Sequence, residues 1–293
     1  EIHKQWTCSL WALYLQSAQA RLRGTPAPEI KAGSGKSLAQ NLDMKTIVQN
    51  LAIEYMDEGT GSVILMLHGW KDTQHTFDAI TLRLGKRHRI MRLDLPGFGG
   101  SDMPKGTWDI SAYVNFVRDF IQKQKIDVDT IIGHSFGGRV VIKGAGSGIL
   151  KPKRLILISA AGLAKRKTVR TMLLGMLAKS GRLMTAIPPL SFWRQELRRT
   201  LYELIGSDYF TAGALKDTFV KVVSEDLSEY AKKISIPTLV VWGKDDTTTP
   251  LEQANRIHEL IHGSTLRVVD TAGHFVHRER SNEVAKLIDE FLV

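Results

Sequence analysis

From Met44 onward, short apolar runs alternate with longer stretches whose apolar positions recur at helical spacing. The runs are SVILMLHG, HRIMRLDL, TIIGHS, RLILISAAG, TLVVWG and LRVVD. Each has the length and β-branched content of a buried strand. Between them, stretches such as ISAYVNFVRDFIQKQ carry one apolar face. This rhythm predicts an α/β fold: a mostly parallel, doubly wound sheet with crossover helices on both faces. Ahead of it, MKTIVQNLAIEY (44–55) alternates like a half-buried strand.

One segment breaks the rhythm. Residues 163–230 hold helix-like pieces instead of strands, namely TVRTMLLGMLAKS, FWRQELRRTLYELI and AGALKDTFVKVV. They read as a helical insertion between two sheet strands, which divides the chain into a core of 44–162 plus 231–293 and an inserted segment, 163–230. No internal repeat or low-complexity tract interrupts this plan.

Residues 1–43 have a different texture and read as an N-terminal extension, partly helical or flexible. Ile2, Trp6, Leu10, Tyr14, Ala18 and Leu22 recur every four residues up to the break at GTPAP. Lys4, the apolar stretch Trp6–Leu15 and Ala18-Gln19-Ala20 also sketch a signal peptide, but its centre is short and broken by Thr7, Cys8 and Ser9. AGSGKS ends like a phosphate-binding loop, yet Ile30 stands where the first glycine of that motif belongs. A linker is the simpler reading of 24–43, and Met44 resembles a natural start.

Composition adds little to this picture; charge adds more. With 43% apolar and 24% charged residues, and no uncharged apolar run of 18, the sequence is that of a globular protein without a membrane-spanning helix. The single cysteine rules out an intrachain disulfide and a cysteine-based zinc cluster, and fits a cytoplasmic address. Net charge is +10. Leu163–Thr200 carries nine basic residues against Glu196 alone, so this stretch of the inserted segment has a net charge of +8. No zinc-finger spacing, stacking platform or basic zipper accompanies them, so nucleic acid is not the expected partner. The charge reads either as a solvated helical face or as an attraction for anionic substrates or an anionic lipid surface.

The candidate chemistry sits at strand ends. Gly133-His134-Ser135-Phe136-Gly137 matches GxSxG where TIIG should pass into a helix. A sharp strand-to-helix turn strains the serine backbone, and Gly133, Gly137 and Gly138 remove side chains that would collide there. A serine hydroxyl needs a base to take its proton and an acid to orient that base, and in this arrangement the chain order is serine, acid, histidine. After TLVVWG comes Gly243-Lys244-Asp245-Asp246, which leaves two adjacent carboxylates open as the acid. After LRVVD comes Ala272-Gly273-His274-Phe275. All three follow predicted strands, where open parallel sheets place their sites.

LHGW (67–70), DLPGFGGSD (94–102), GHSFGG (133–138), WGKDDTTTP (242–250) and AGHFVHRE (272–279) together resemble the α/β-hydrolase superfamily from Met44 to Val293. The resemblance implies the α/β-hydrolase fold, with 163–230 as the cap inserted after the sixth strand. It implies Asp246 as the acid, three residues after the glycine and four before the proline, with Asp245 a solvated turn residue. It also implies His274 as general base and the backbone N–H groups of Trp70 and Phe136 as an oxyanion hole. His68 is expected to hydrogen-bond within its turn, His134 to fill a variable position, and His277, His258 and His262 to be surface or helix residues.

These assignments imply a serine hydrolase, carboxylesterase-like, acting on a small-molecule ester or acyl substrate through an acyl-enzyme, with no metal and no organic cofactor. Ser135 argues against haloalkane dehalogenases and epoxide hydrolases, which need a carboxylate at the elbow. Carbon–carbon bond hydrolases and cofactor-free haloperoxidase-like enzymes share the triad and stay open. A non-catalytic binding protein on the same scaffold is the alternative of another class.

Overall fold

In the computed structural model, which describes residues 43–163 and 213–293, the apolar runs form one eight-stranded sheet of order β1-β2-β4-β3-β5-β6-β7-β8. The strands are β1 (Met44–Val48), β2 (Leu51–Glu58), β3 (Val63–Leu67), β4 (Arg89–Leu93), β5 (Val128–His134), β6 (Arg154–Ile158), β7 (Thr238–Gly243) and β8 (Thr265–Val269). β1–β2 and β2–β4 pair antiparallel, and every other pair is parallel. The alternating stretch 44–55 is thus two strands, not one. Gln49 and Asn50 both take positive φ, 52° and 61°, which makes a two-residue hairpin whose twist suits the flanking strands.

Successive side chains of each central strand enter opposite cores, which is why these strands are mostly apolar on both sides. Leu65, Leu67, Leu93, Ile131, Leu157, Val240 and Trp242 face one side. There they meet α2 (Ile110–Gln124), through Val114, Val117 and Phe120, and α3 (Phe136–Gly146), through Val140 and Val141. Ile64, Met66, Ile90, Ile132, Ile158 and Val241 face the other. They are covered by α1 (Asp78–Leu84), through Ile80 and Leu84, and by the C-terminal helix Ser281–Leu292, through Val284 and Ile288. Asp109 caps α2 by accepting from Ala112 N at 2.8 Å, and Lys125 ends it in the left-handed conformation.

Two of the helix-like pieces of 163–230, most of its basic residues and the extension over residues 1–42 lie outside the described residues. Of the third piece, Gly213–Leu215 form a 3-10 turn and Lys216–Ser224 a helix, α4. β6 and β7 are direct neighbours although this segment separates them. Leu227 N donates to Gly162 O at 2.9 Å, so the chain leaves the sheet and returns to it at one point. Glu225 fixes the return, its carboxylate taking Lys143 Nζ and its carbonyl Arg139 Nη2, both from α3. Among the described residues, no helix is long and apolar enough to cross a membrane.

Neighbouring β4 and β5 leave β3 in opposite directions, so the strand order reverses at β3. A crevice opens at the carboxyl edge of such a reversal because the crossovers diverge to opposite faces. Leu67–Trp70 and His134–Ser135 emerge side by side there.

Candidate active site

Ser135 joins β5 to α3 with φ 49° and ψ −108°, a strained conformation for a residue with a Cβ. The turn is imposed from both sides. A Cβ on Gly133 would lie 2.8 Å from the backbone of Gly137 and Gly138, and one on Gly137 would lie 2.1 Å from Leu67 O. Only glycine lets α3 start this close to β3 and β5. Ser135 N donates to Ile158 O at 3.1 Å and Ala161 N to Ser135 O at 3.0 Å, which pins the strained residue to β6.

Three strand ends meet at the serine. Ser135 Oγ lies 3.0 Å from His274 Nε2, and His274 Nδ1 lies 2.8 Å from Asp246 Oδ2. Asp246 is 4% exposed. Its Oδ1 accepts from Thr248 N at 2.9 Å and Thr249 N at 2.8 Å, and its Oδ2 accepts from Thr249 Oγ1 at 2.7 Å. Burial pushes this carboxyl upward, but the hydrogen bonds and charge of His274 and the bonds from Thr249 outweigh it and hold it below its ordinary range. Asp245 is exposed, and its N–H donates to Ala272 O at 2.9 Å. Of the two aspartates, only Asp246 is buried and in contact with His274.

Trp70, in the loop after β3, and Phe136, at the start of α3, have their rings 5.3 Å apart in an edge contact. Phe98, 5.0 Å from Trp70, and Phe219 of α4, 5.1 Å from it, extend this aromatic wall. Gly137 N–H is taken by His68 O and Ser135 N–H by Ile158 O. Among the described residues, neither Trp70 nor Phe136 N–H donates to a turn or loop acceptor. A cleft of about 270 Å³ opens beside Trp70, lined by Phe98, Met103 and Leu215 together with the polar Lys71, Asp72 and Thr73. Among the described residues, no group of three or more His, Cys, Asp or Glu is arranged to hold a metal ion.

His68 is fully buried within its turn. Its Nδ1 lies 2.7 Å from Gly69 O and its Nε2 accepts from Leu95 N at 2.9 Å, which fixes the neutral Nδ1–H form, and burial lowers its pKa. His258 lies in helix Leu251–Leu260 and His262 is exposed, as expected. His277 also lies in a helix, but away from the surface. It is fully buried in the short helix Val276–Glu279, with Nε2 2.9 Å from Thr76 Oγ1 and its ring 4.4 Å from that of His134. The charged run Arg278-Glu279-Arg280 that follows it hides this in the sequence, although Val276 before it is buried as well.

The site has contributors that sequence reasoning misses. Thr249 is visible along the chain only as part of a threonine run before Pro250, and its role depends on the turn that aims it at Asp246. Asp94, inside DLPGFGGSD, is buried and accepts from Gln74 N at 2.6 Å and Gly100 N at 2.8 Å, tying the loop after β3 to the loop after β4. Glu279 accepts from Gly273 N at 2.7 Å and so braces the turn before His274.

The buried histidines carry a consequence for acid stability. Burial, helped by the charges of Arg278 and His274, pushes His277 down to about 3. Once unfolded it takes a proton below about 6.5, so between those values the unfolded chain binds the extra proton and stability falls on acidification. His134 is lowered in the same direction, chiefly by burial. Each such group contributes a slope of about 1.4 kcal/mol per pH unit. Urea midpoints between pH 7 and 5 should fall less steeply in His277→Gln than in wild type; equal slopes would show that His277 can be protonated in the folded protein.

An eight-stranded sheet of this order, with a serine on the strand-to-helix turn after β5, defines the α/β-hydrolase fold. Residues 64–287 match the profile of the Alpha/beta hydrolase family, and the chain belongs to that family. It is 24% identical over 253 residues to the 2-hydroxy-6-oxo-6-(2'-aminophenyl)hexa-2,4-dienoic acid hydrolase of Metapseudomonas resinovorans, covering 81% of this chain and 86% of the other. To the monoacylglycerol lipase abhd6-A of Xenopus laevis it is 24% identical over 256 residues, covering 80% and 76%. The solved esterase of Exiguobacterium antarcticum superposes with a TM-score of 0.66 at 23% identity, covering 86% of this chain and all of that one.

Proposed function

We propose that the protein is a serine hydrolase that cleaves a carboxylic ester or similar acyl compound. The observation that carries this reading is the chain of contacts from Ser135 Oγ through His274 to the buried Asp246, 3.0 and 2.8 Å long. In this mechanism Ser135 attacks the acyl carbonyl while His274 Nε2 takes its proton, and Asp246 stabilises the imidazolium. The Trp70 and Phe136 N–H groups receive the developing oxyanion. His274 then protonates the departing alcohol, and water enters by the same steps to release the acid. The cleft beside Trp70 offers an apolar wall for an acyl or alcohol group.

A fluorophosphonate probe should label wild-type protein and not Ser135→Ala, and the wild type should turn over p-nitrophenyl esters whose acyl-length profile reports how the cleft is used. Failure to label Ser135 would favour a non-catalytic binding protein. The likeness to the Metapseudomonas enzyme supports a second reading on the same residues, hydrolysis of a carbon–carbon bond beside a carbonyl. Turnover of a 2-hydroxy-6-oxo-dienoate at a kcat/KM above that of every ester would select it.

A further inference from the structure

His134 occupies the position between glycine and serine in the elbow, where its side chain has no part in the mechanism above. It is 1% exposed, and its ring lies among those of His274, Phe275 and His277, at 5.0, 5.4 and 4.4 Å. Its Nε2 lies 3.1 Å from the backbone carbonyl of His274. A carbonyl only accepts, so Nε2 carries the proton and the neutral ring leaves Nδ1 bare. Among the described residues, that buried Nδ1 has no partner. An apolar side chain would fill this space without burying an unpaired nitrogen, so the histidine has to be explained by the bond it makes.

The bond joins the two reacting elements. His134 is covalently next to Ser135 and hydrogen-bonded to the peptide of His274, so the gap between Ser135 Oγ and His274 Nε2 is spanned a second time through the backbone. The brace continues past it. His277, packed against His134, reaches Thr76 in the 3-10 turn Gln74–Phe77, which follows the loop carrying Trp70. Gly69 leaves room for the arrangement, since a Cβ there would come 3.0 Å from His134 Nδ1. One buried imidazole thus borders the nucleophile turn, the base loop and the start of the oxyanion loop.

We infer that His134 is a positioning residue that sets the placement of His274 relative to Ser135 through its Nε2–H bond to the His274 carbonyl. The inference rests on the reading of Ser135 and His274 as nucleophile and base. It acts on the geometry of proton transfer and leaves the substrate cleft alone. The matched pair His134→Met and His134→Gln separates the bond from the packing, because the two side chains have similar size and only glutamine has a donor.

His134→Met should lose about 10- to 100-fold in kcat, the scale of a small misplacement of reacting groups, with KM within about threefold and fluorophosphonate labelling slowed by the same factor as kcat. His134→Gln should recover most of both. A second readout needs no activity: amide exchange across 271–276 should quicken in His134→Met relative to the rest of the sheet and return toward wild type in His134→Gln. Unchanged exchange in His134→Met, or a glutamine variant as impaired as the methionine one, overturns the inference. Wild-type labelling of Ser135 separately tests the reading beneath it.

Discussion

Asp246→Asn should lower kcat/KM by about 10³- to 10⁴-fold, the scale found when the acid of a serine triad is made neutral without changing its shape. Asp245→Asn should stay within about threefold of wild type, as expected of a solvated carboxylate. The structure says how the amide would fail. Thr248 N and Thr249 N both donate to Oδ1 of Asp246, so an asparagine would keep its carbonyl oxygen there and turn its NH₂ toward His274 Nδ1. A donor facing Nδ1 forces the imidazole to carry its proton on Nε2. That nitrogen could then no longer accept the Ser135 proton, although every heavy atom would stand where it stood before. Steady-state hydrolysis of an activated ester by both variants, with circular dichroism to confirm the fold, measures the contrast. The reverse ranking would move the acid role to Asp245 and contradict the 2.8 Å contact.

Much of this site can be read along the chain because it is built from strand ends, and buried strands announce themselves. Six of the eight strands coincide with the predicted, mostly apolar runs, since a sheet covered on both faces favours apolar residues on both sides of its central strands. The edge region is harder. MKTIVQNLAIEY hides a hairpin, because Gln49-Asn50 lacks the glycine that usually marks a two-residue turn. The elbow is legible for a steric reason, as its glycines stand where three backbones converge.

What pattern does not supply is the inward or outward choice within turns. Asp245 and Asp246 are equivalent by composition, and only the hydrogen bonds of Thr248 and Thr249 make one of them the buried partner of His274. His277, followed by Arg278-Glu279-Arg280, reads like a surface residue, yet its ring packs against Phe77 and His134. The same holds for His134, whose position before Ser135 is plain while its reach to the His274 carbonyl is not. Local sequence reports whether a strand is buried far better than which way one side chain of a loop points.

Gly137→Ala should be the most damaging methyl group that can be added to this protein near the site. The new Cβ would fall 2.1 Å from Leu67 O, 2.6 Å from Leu67 C and 2.8 Å from His68 O, all backbone atoms with no rotamer to yield. Relief requires moving α3 off β3. That breaks the 3.0 Å bond from Gly137 N to His68 O and shifts the Leu67–Trp70 backbone. Overpacking in a tight core costs about 1–3 kcal/mol and sometimes more; with rigid backbone on every side the upper end or beyond is expected here. At about 2–4 °C per kcal/mol for a chain of this size, the melting temperature should drop by roughly 6–12 °C or more. Gly148→Ala is the control: φ is +72° there but nothing lies within 4 Å of the new Cβ, so only the left-handed strain of about 1–2 kcal/mol applies. Activity separates the two further. Gly148→Ala should keep its turnover at temperatures where it is folded, whereas Gly137→Ala should lose at least tenfold there, because the displaced carbonyls belong to the segment that carries Trp70, the proposed oxyanion donor. If Gly137→Ala melted and turned over like Gly148→Ala, the close approach of α3 to β3 could not be what positions the elbow.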